Sequence, residues 1–187
     1  MKILLIIALV SLYIPKAFGQ PSKKNIILYD NANSFRSNKN NVKDDSLYIN
    51  KIRLNEVFNK KYLIVFQDKV KRKLLKDSLW GYSKGDKVNC RFFKNEIYKI
   101  LDTTSPIVIY HMNLPQRQTG KINVTRYCYS MGFDGIIKSL SINNLLEDFS
   151  SNNTFCKAVR VNFHYNTELV ELDECTKQYK ILKYFKQ

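Results

Sequence analysis

Between residues 46 and 131 the apolar residues come in short bursts, none longer than a strand. "SLYINKIRL" (46–54) and "KYLIVFQ" (61–67) are rich in β-branched and aromatic residues, and "VKRKLL" (70–75) has the charged character of an edge strand. "LWGYS" (79–83) runs into the turn "KGDK", and "VNCRFF" (88–93) reads as the returning strand of a hairpin whose Gly85 can take a positive φ. "IYKIL" (97–101), "IVIYHM" (107–112) and "VTRYCYSM" (124–131) continue at the spacing of an antiparallel meander. The pattern predicts six to eight strands.

After Gly135 the periodicity changes. Ser141 can cap a helix whose Ile142, Leu145, Leu146 and Phe149 recur at helical spacing, and a second helix from about Asn153 places Phe155, Val159 and Phe163 on one stripe. The tail "TKQYKILKYFKQ" fits helix or strand equally. Sheet first and helices last gives an α+β fold, a mostly antiparallel β-meander with two or three C-terminal helices packed on one face. "NANSFRSNKNNVKDD" (31–45) is polar and turn-rich, and reads as a loop or short helical turn. No repeat or Pro/Gly/Ser linker divides residues 20–187, so one globular domain is expected, with a sheet region at 46–131 and a helical region at 140–187. Trp80, Phe92, Ile100, Ile109, Leu145 and Phe149 should be mainly buried.

The opening "MKILLIIALVSLYIPKAFGQ" has a lysine at position 2, an apolar run from Ile3 to Ile14, and the small residues Ala17 and Gly19 ahead of Gln20. That is the layout of a cleavable export signal over residues 1–19. No later run approaches a membrane span. The expectation is an exported protein, periplasmic or extracellular, with no transmembrane segment after signal removal.

The chain carries a net charge of +15, which falls to +13 when Lys2 and Lys16 leave with a segment that holds no acid. Such a field draws in acidic glycans, anionic headgroups or nucleic acid at low salt. Lysine supplies most of it and asparagine is also abundant, a pairing that compositional bias produces, so a solvated surface is the expected reading of the charge over a dedicated polyanion groove. The partner expected is an anionic glycan or an envelope surface; nothing points to specific nucleic-acid binding.

Four cysteines, at 90, 128, 156 and 175, make disulfides a natural expectation in an exported chain. Cys156 with Cys175 would close a short loop, and Cys90 with Cys128 would link two strands. Buried free thiols explain the same residues.

One resemblance enters here. The element Asp77, Ser78, Leu79, Trp80, Gly81, Tyr82, followed by Arg91 and Phe92 and then by Ile109 and Tyr110, resembles a group of uncharacterised secreted proteins of Bacteroidetes. The likeness spans about two thirds of the chain. It implies a source and an exported location, which a glutamine directly after the cleavage point also fits, but it brings no catalytic residue.

Catalytic constellations are absent from the pattern. A metal site needs several convergent ligands, and there are only His111 and His164, with no C-x-x-C and no H-E-x-x-H. No G-x-S-x-G is present, which leaves Cys128 with His111 as the one nucleophile–base pairing to test. Asp134, Glu147 and Asp148 are the acids to test for glycoside hydrolysis, against capping and helix-dipole roles. No cofactor is implied.

Aromatic residues interleaved with cations are the better signal. Trp80, Tyr82, Phe92, Phe93, Tyr98 and Tyr110 lie among Lys84, Lys87, Arg91, Lys94 and Lys99, and rings beside cations can stack on sugars or bases. Strand alternation sends half of them inward, so core packing competes with this reading. The candidate ligand-binding residues are Trp80, Tyr82, Lys84, Lys87, Arg91 and Lys94. The functional expectation is a non-catalytic envelope or secreted accessory or binding protein; the alternative is a hydrolase acting on an acidic polymer, glycan or nucleic acid.

Overall fold

The computed structural model describes residues 26–39, 47–54, 60–85, 88–114 and 125–185. The expected export signal and Lys87 lie outside them. The fold is α+β and mostly β, as the alternation of short apolar bursts predicts. Its strands are β1 (Ile26–Tyr29), β2 (Leu47–Ile49), β3 (Lys51–Arg53), β4 (Tyr62–Gln67), β5 (Val70–Leu75), β6 (Gly81–Lys84), β7 (Val88–Phe93), β8 (Glu96–Asp102), β9 (Ile107–Asn113), β10 (Thr125–Met131) and β11 (Lys138–Ser139). Helices are α1 (Ala32–Lys39), α2 (Ile142–Asp148) and α3 (Asn153–Asn162), with 3-10 turns at Lys76–Ser78, Asn166–Val170 and Lys180–Phe185.

Two antiparallel sheets result, where the bursts alone suggest one. The larger has the order β11-β10-β9-β8-β7-β6-β1-β2, and the smaller is β3-β4-β5. "SLYINKIRL" is divided between them: β2 ends at Ile49 and β3 begins at Lys51. At the crossing, the Asn50 N–H donates to the Phe66 carbonyl (2.9 Å) and its side-chain oxygen accepts from the Asp68 N–H (3.3 Å). The described strands number eleven, above the expected six to eight, because of this division and because β1 and β11 fall outside 46–131.

Register decides what each face carries. Leu28, Tyr82, Cys90, Lys99, His111 and Tyr127 form one cross-strand row, while Tyr29, Gly81, Arg91 and Tyr98 form the next row, on the opposite face. Toward β1, the first face packs Ile26, Leu28, Tyr82, Cys90 and Phe92 against Leu63 and Val65 of β4. Toward β10, it packs Ile107, Ile109 and Tyr129 against Leu145, Phe155, Val159, Phe163, Ile181 and Leu182 of the C-terminal segments. The opposite face is covered by Phe35 of α1 with Tyr29 and Trp80, and by Phe133 and Ile137 from the β10–β11 connection.

The helices form where capping and spacing direct. Ser141 Oγ accepts from the Asn144 N–H (3.2 Å), and Asn152 Oδ1 accepts from the Phe155 N–H (3.0 Å), each cap contributing about 1 kcal/mol. Leu145 and Val159 are fully buried on the faces turned to the sheet; truncating a site like Leu145 to alanine costs about 2–5 kcal/mol. Of the expected core, Trp80, Phe92, Ile109 and Leu145 are buried, whereas Ile100 and Phe149 are half-buried. The 31–45 segment is helical over α1, and the tail folds as the 3-10 turn at Lys180–Phe185 after an isolated Leu172–Tyr179 bridge.

Neither expected disulfide is present: none of the four cysteines is disulfide-bonded. Cys90 on β7 and Cys128 on β10 are three strand steps apart, about 14 Å at ~4.8 Å per step, twice the Cα separation a disulfide tolerates. Cys156 is buried with Sγ 3.2 Å from the Phe149 carbonyl oxygen, while Cys175 is exposed.

Candidate polyanion-binding face

The hairpin residues singled out above do not share a surface. Tyr82 (6% exposed) faces the small sheet among Leu28, Cys90 and Phe92. Trp80 (8% exposed) faces the other way, stacked on Phe35 with centroids 4.7 Å apart, and its Nε1 donates to the Phe133 carbonyl at 3.1 Å. Arg91 is buried near it. Lys84 and Lys94 are exposed, but Lys84 ends β6 and Lys94 occupies the turn at the far end of β7. That turn is tight: Lys94 and Asn95 both have positive φ, 49° and 65°, the pattern of a type I′ hairpin. Gly85 takes the expected positive φ, 59°.

A different surface does bring rings and cations together. Along β4, Leu63 and Val65 are fully buried against the large sheet, so period-2 alternation turns Tyr62, Ile64 and Phe66 outward. Directly paired residues share a face. On the β3 side Lys51 pairs with Phe66 and Arg53 with Ile64; on the β5 side Lys71 pairs with Phe66, Lys73 with Ile64 and Leu75 with Tyr62. The outer face is therefore a central row of Tyr62, Ile64 and Phe66, flanked by Lys51 and Arg53 on one side and Lys71 and Lys73 on the other.

All four flanking cations are exposed, and none has an acidic partner among the described residues. Three of them lie over the rings instead. Lys73 Nζ is 3.9 Å from the Tyr62 centroid, and Arg53 Cζ and Lys51 Nζ are 5.3 and 5.9 Å from that of Phe66. Lys60 adds a further ammonium 5.7 Å from Tyr62. Cation–π contact at an exposed site contributes only about 0.5–1 kcal/mol, and four like charges around one strand repel one another. An arriving anion relieves that repulsion, which gives the face its chemical capacity. The β4–β5 turn, Asp68–Lys69, has φ of 47° and 69° at its two residues, and this two-residue geometry sets the register that puts Lys71 and Lys73 opposite Phe66 and Ile64. The sequence signal was available as alternation in three separate segments, Lys51/Arg53, Tyr62/Phe66 and Lys71/Lys73, but nothing local says that β4 runs between the other two.

The groups considered for catalysis are dispersed. Cys128 pairs with Tyr110, one residue from His111, so alternation places its thiol on the opposite face of the sheet from the imidazole. Burial, helped by Lys99 in the same cross-strand row, holds the His111 pKa below its usual value, and burial pushes the Cys128 thiol up. Asp134 is exposed and lies 3.7 Å from Arg36. Asp148 accepts from Tyr129 OH (2.6 Å) and pairs with Lys138, while Glu147 is exposed. Burial pushes the Asp148 carboxyl up, but the bonds from Lys138 and Tyr129 outweigh it and leave the pKa below the ordinary aspartate value. These contacts brace α2 against β10 and β11. Among the described residues no cluster of three or more His, Cys, Asp or Glu could hold a metal, and no helix is long and apolar enough to cross a membrane.

A shallow cleft of about 470 Å³ lies between α2 and the end of α3, lined by Ile142, Asn143, Arg160, Phe163, His164 and Tyr165, with Asn166. Asn166 Oδ1 is occupied by the Ile142 N–H at 2.9 Å, and the cleft brings no nucleophile beside His164. No protein-family model, curated protein or solved structure matches this chain.

Proposed function

We propose that this is a non-catalytic binding protein, exported to the envelope or beyond, that holds an acidic glycan on the outer face of the β3-β4-β5 sheet. One observation carries the binding reading: four exposed cations with no acidic partner among the described residues flank outward-facing Tyr62 and Phe66 on a single sheet face. Sugar rings rest on aromatic faces while carboxylates or sulfates meet the flanking ammonium and guanidinium groups. Each exposed contact is weak, so affinity comes from several acting together on one polymer. The choice of glycan rests on the leader-like first nineteen residues and on the resemblance to secreted proteins, both of which support the exported location this reading assumes.

The test is elution from immobilised heparin. Substituting Lys51, Arg53, Lys71 and Lys73 by Gln should move elution to markedly lower salt. A charge-matched control, Lys84, Lys94, Lys157 and Lys177 to Gln, should stay close to wild type. Equal displacement of the two variants would mean that net charge alone drives retention, and the reading would fail.

A further inference from the structure

Arg91 is a second place where positive charge stands without a counterion among the described residues, and it lies on the face of the large sheet turned away from β3-β4-β5. The residue is 5% exposed. Its Nη1 donates to Tyr110 OH at 3.3 Å and to Ser130 Oγ at 3.4 Å. The Ser130 hydroxyl gives its own proton to the Gly132 carbonyl (2.6 Å), so the 2.9 Å contact between Tyr110 and Ser130 runs from the phenol to Ser130 Oγ. Both hydroxyl protons are then committed. Both hydroxyl oxygens accept from one nitrogen of the guanidinium and leave the rest of it unserved.

What remains is the edge formed by Nε and Nη2. Nε is buried with no hydrogen-bond partner, and Nη2 makes no hydrogen bond among the described residues. The rings of Trp80 and Phe93 lie 5.8 and 5.6 Å from the guanidinium carbon. They stabilise the cation but offer no lone pair in the plane of its N–H groups. Buried polar groups in folded proteins are almost always satisfied, and buried charges are paired. The Nε–Nη2 edge is also the fork that takes two oxygens of one carboxylate or phosphate side-on.

We propose that Arg91 anchors a small-oxyanion site in which Nε and Nη2 hold a carboxylate or phosphate group side-on, Tyr110 and Ser130 fix the guanidinium plane, and Trp80 and Phe93 wall it. This site is independent of the polyanion-binding face.

Thermal unfolding of the full chain at constant ionic strength tests it, with inorganic phosphate in one arm, acetate in a second and chloride as reference. Wild type should show a saturable rise in Tm over chloride, about 5 °C at a hundredfold excess over the dissociation constant. A rise in phosphate alone assigns a tetrahedral ligand, in acetate alone a planar one, and in both a site that reads only the paired oxygens. Arg91→Met should abolish the response, and the Lys51, Arg53, Lys71, Lys73 to Gln variant should keep it. No rise over chloride in wild type, a full response in Arg91→Met, or loss of the response in the sheet-face variant would each overturn the proposal. If Arg91→Met does not fold, the assigned Arg91 Nε–Hε signal in the NMR spectrum of wild type decides: it should shift saturably with the effective anion, and a signal that stays fixed would overturn the site.

Discussion

Lys73 holds its ammonium 3.9 Å from the centre of the Tyr62 ring, reaching diagonally across the β4–β5 ladder from its direct partner Ile64. The same geometry recurs on the β3 side, where Arg53 pairs with Ile64 and lies 5.3 Å from Phe66. Each ring thus has a cation poised at its face and, among the described residues, no acid competing for it, so the anionic sugar proposed above would meet charge and stacking surface together.

This arrangement separates two contributions to binding. Tyr62→Ala and Phe66→Ala should each weaken binding of a heparin oligosaccharide, on the order of fivefold to a hundredfold if sugar stacking resembles the 1–3 kcal/mol of base stacking. Neither substitution removes charge, so the dependence of affinity on salt should keep its slope. Calorimetric titration at two salt concentrations checks both statements; unchanged affinity would remove the rings from the site.

Thiol chemistry should follow burial. In the native, unreduced protein one thiol, Cys175, should react promptly with an aromatic disulfide reagent, and Cys90, Cys128 and Cys156 only after unfolding. Cys128 should be among the slow group on two grounds, since burial both shields it and raises its pKa. Fewer than four thiols in denaturant would reveal a disulfide and contradict the structure.

Asp148 predicts how stability depends on acid. Its carboxyl has a folded pKa held below the unfolded value by Lys138 and Tyr129, so its contribution is present above the ordinary aspartate range and is lost as pH falls through the folded pKa. Asp148→Ala should cost about 2 kcal/mol at pH 7, from hydrogen bonds to a charged group. The variant should also lose less stability than wild type between pH 5 and pH 2. Urea unfolding at both ends of that range measures the difference, and parallel losses in the two proteins would contradict the assignment.

What was legible in the sequence is what local chemistry decides. The strand "YLIVFQ", the charged edge strand "VKRKLL", the Ser141 cap, the stripe of Phe155, Val159 and Phe163, and the positive φ of Gly85 all appear in the fold as read. What was not legible depends on distant partners. β1 has only four residues and is fixed by pairing with β6, some 54 residues along the chain. The break inside "SLYINKIRL" carries no Gly or Pro; it exists because β2 and β3 find partners in different sheets. Trp80 and Tyr82 are two residues apart, so alternation alone would put them on one face; Trp80, just ahead of β6, instead turns toward α1 while Tyr82 turns toward the small sheet, and only the placement of those two elements shows that both sides are covered there. For the same reason the rings along one hairpin turned out buried, while a site assembled from three separate strands stayed hidden.

On the proposed reading, Lys51, Arg53, Lys71 and Lys73 act together on one anionic polymer. The measurement that addresses it most directly is affinity for heparin as a function of salt, plotted as log K against log salt concentration for wild type, the sheet-face variant and the charge-matched control. If the face makes the contacts, the sheet-face variant should lose about 3 units of slope, taking the nucleic-acid values of roughly 0.7–0.9 per contact, while the control keeps the wild-type slope. Equal slopes in the sheet-face variant and wild type would contradict the claim.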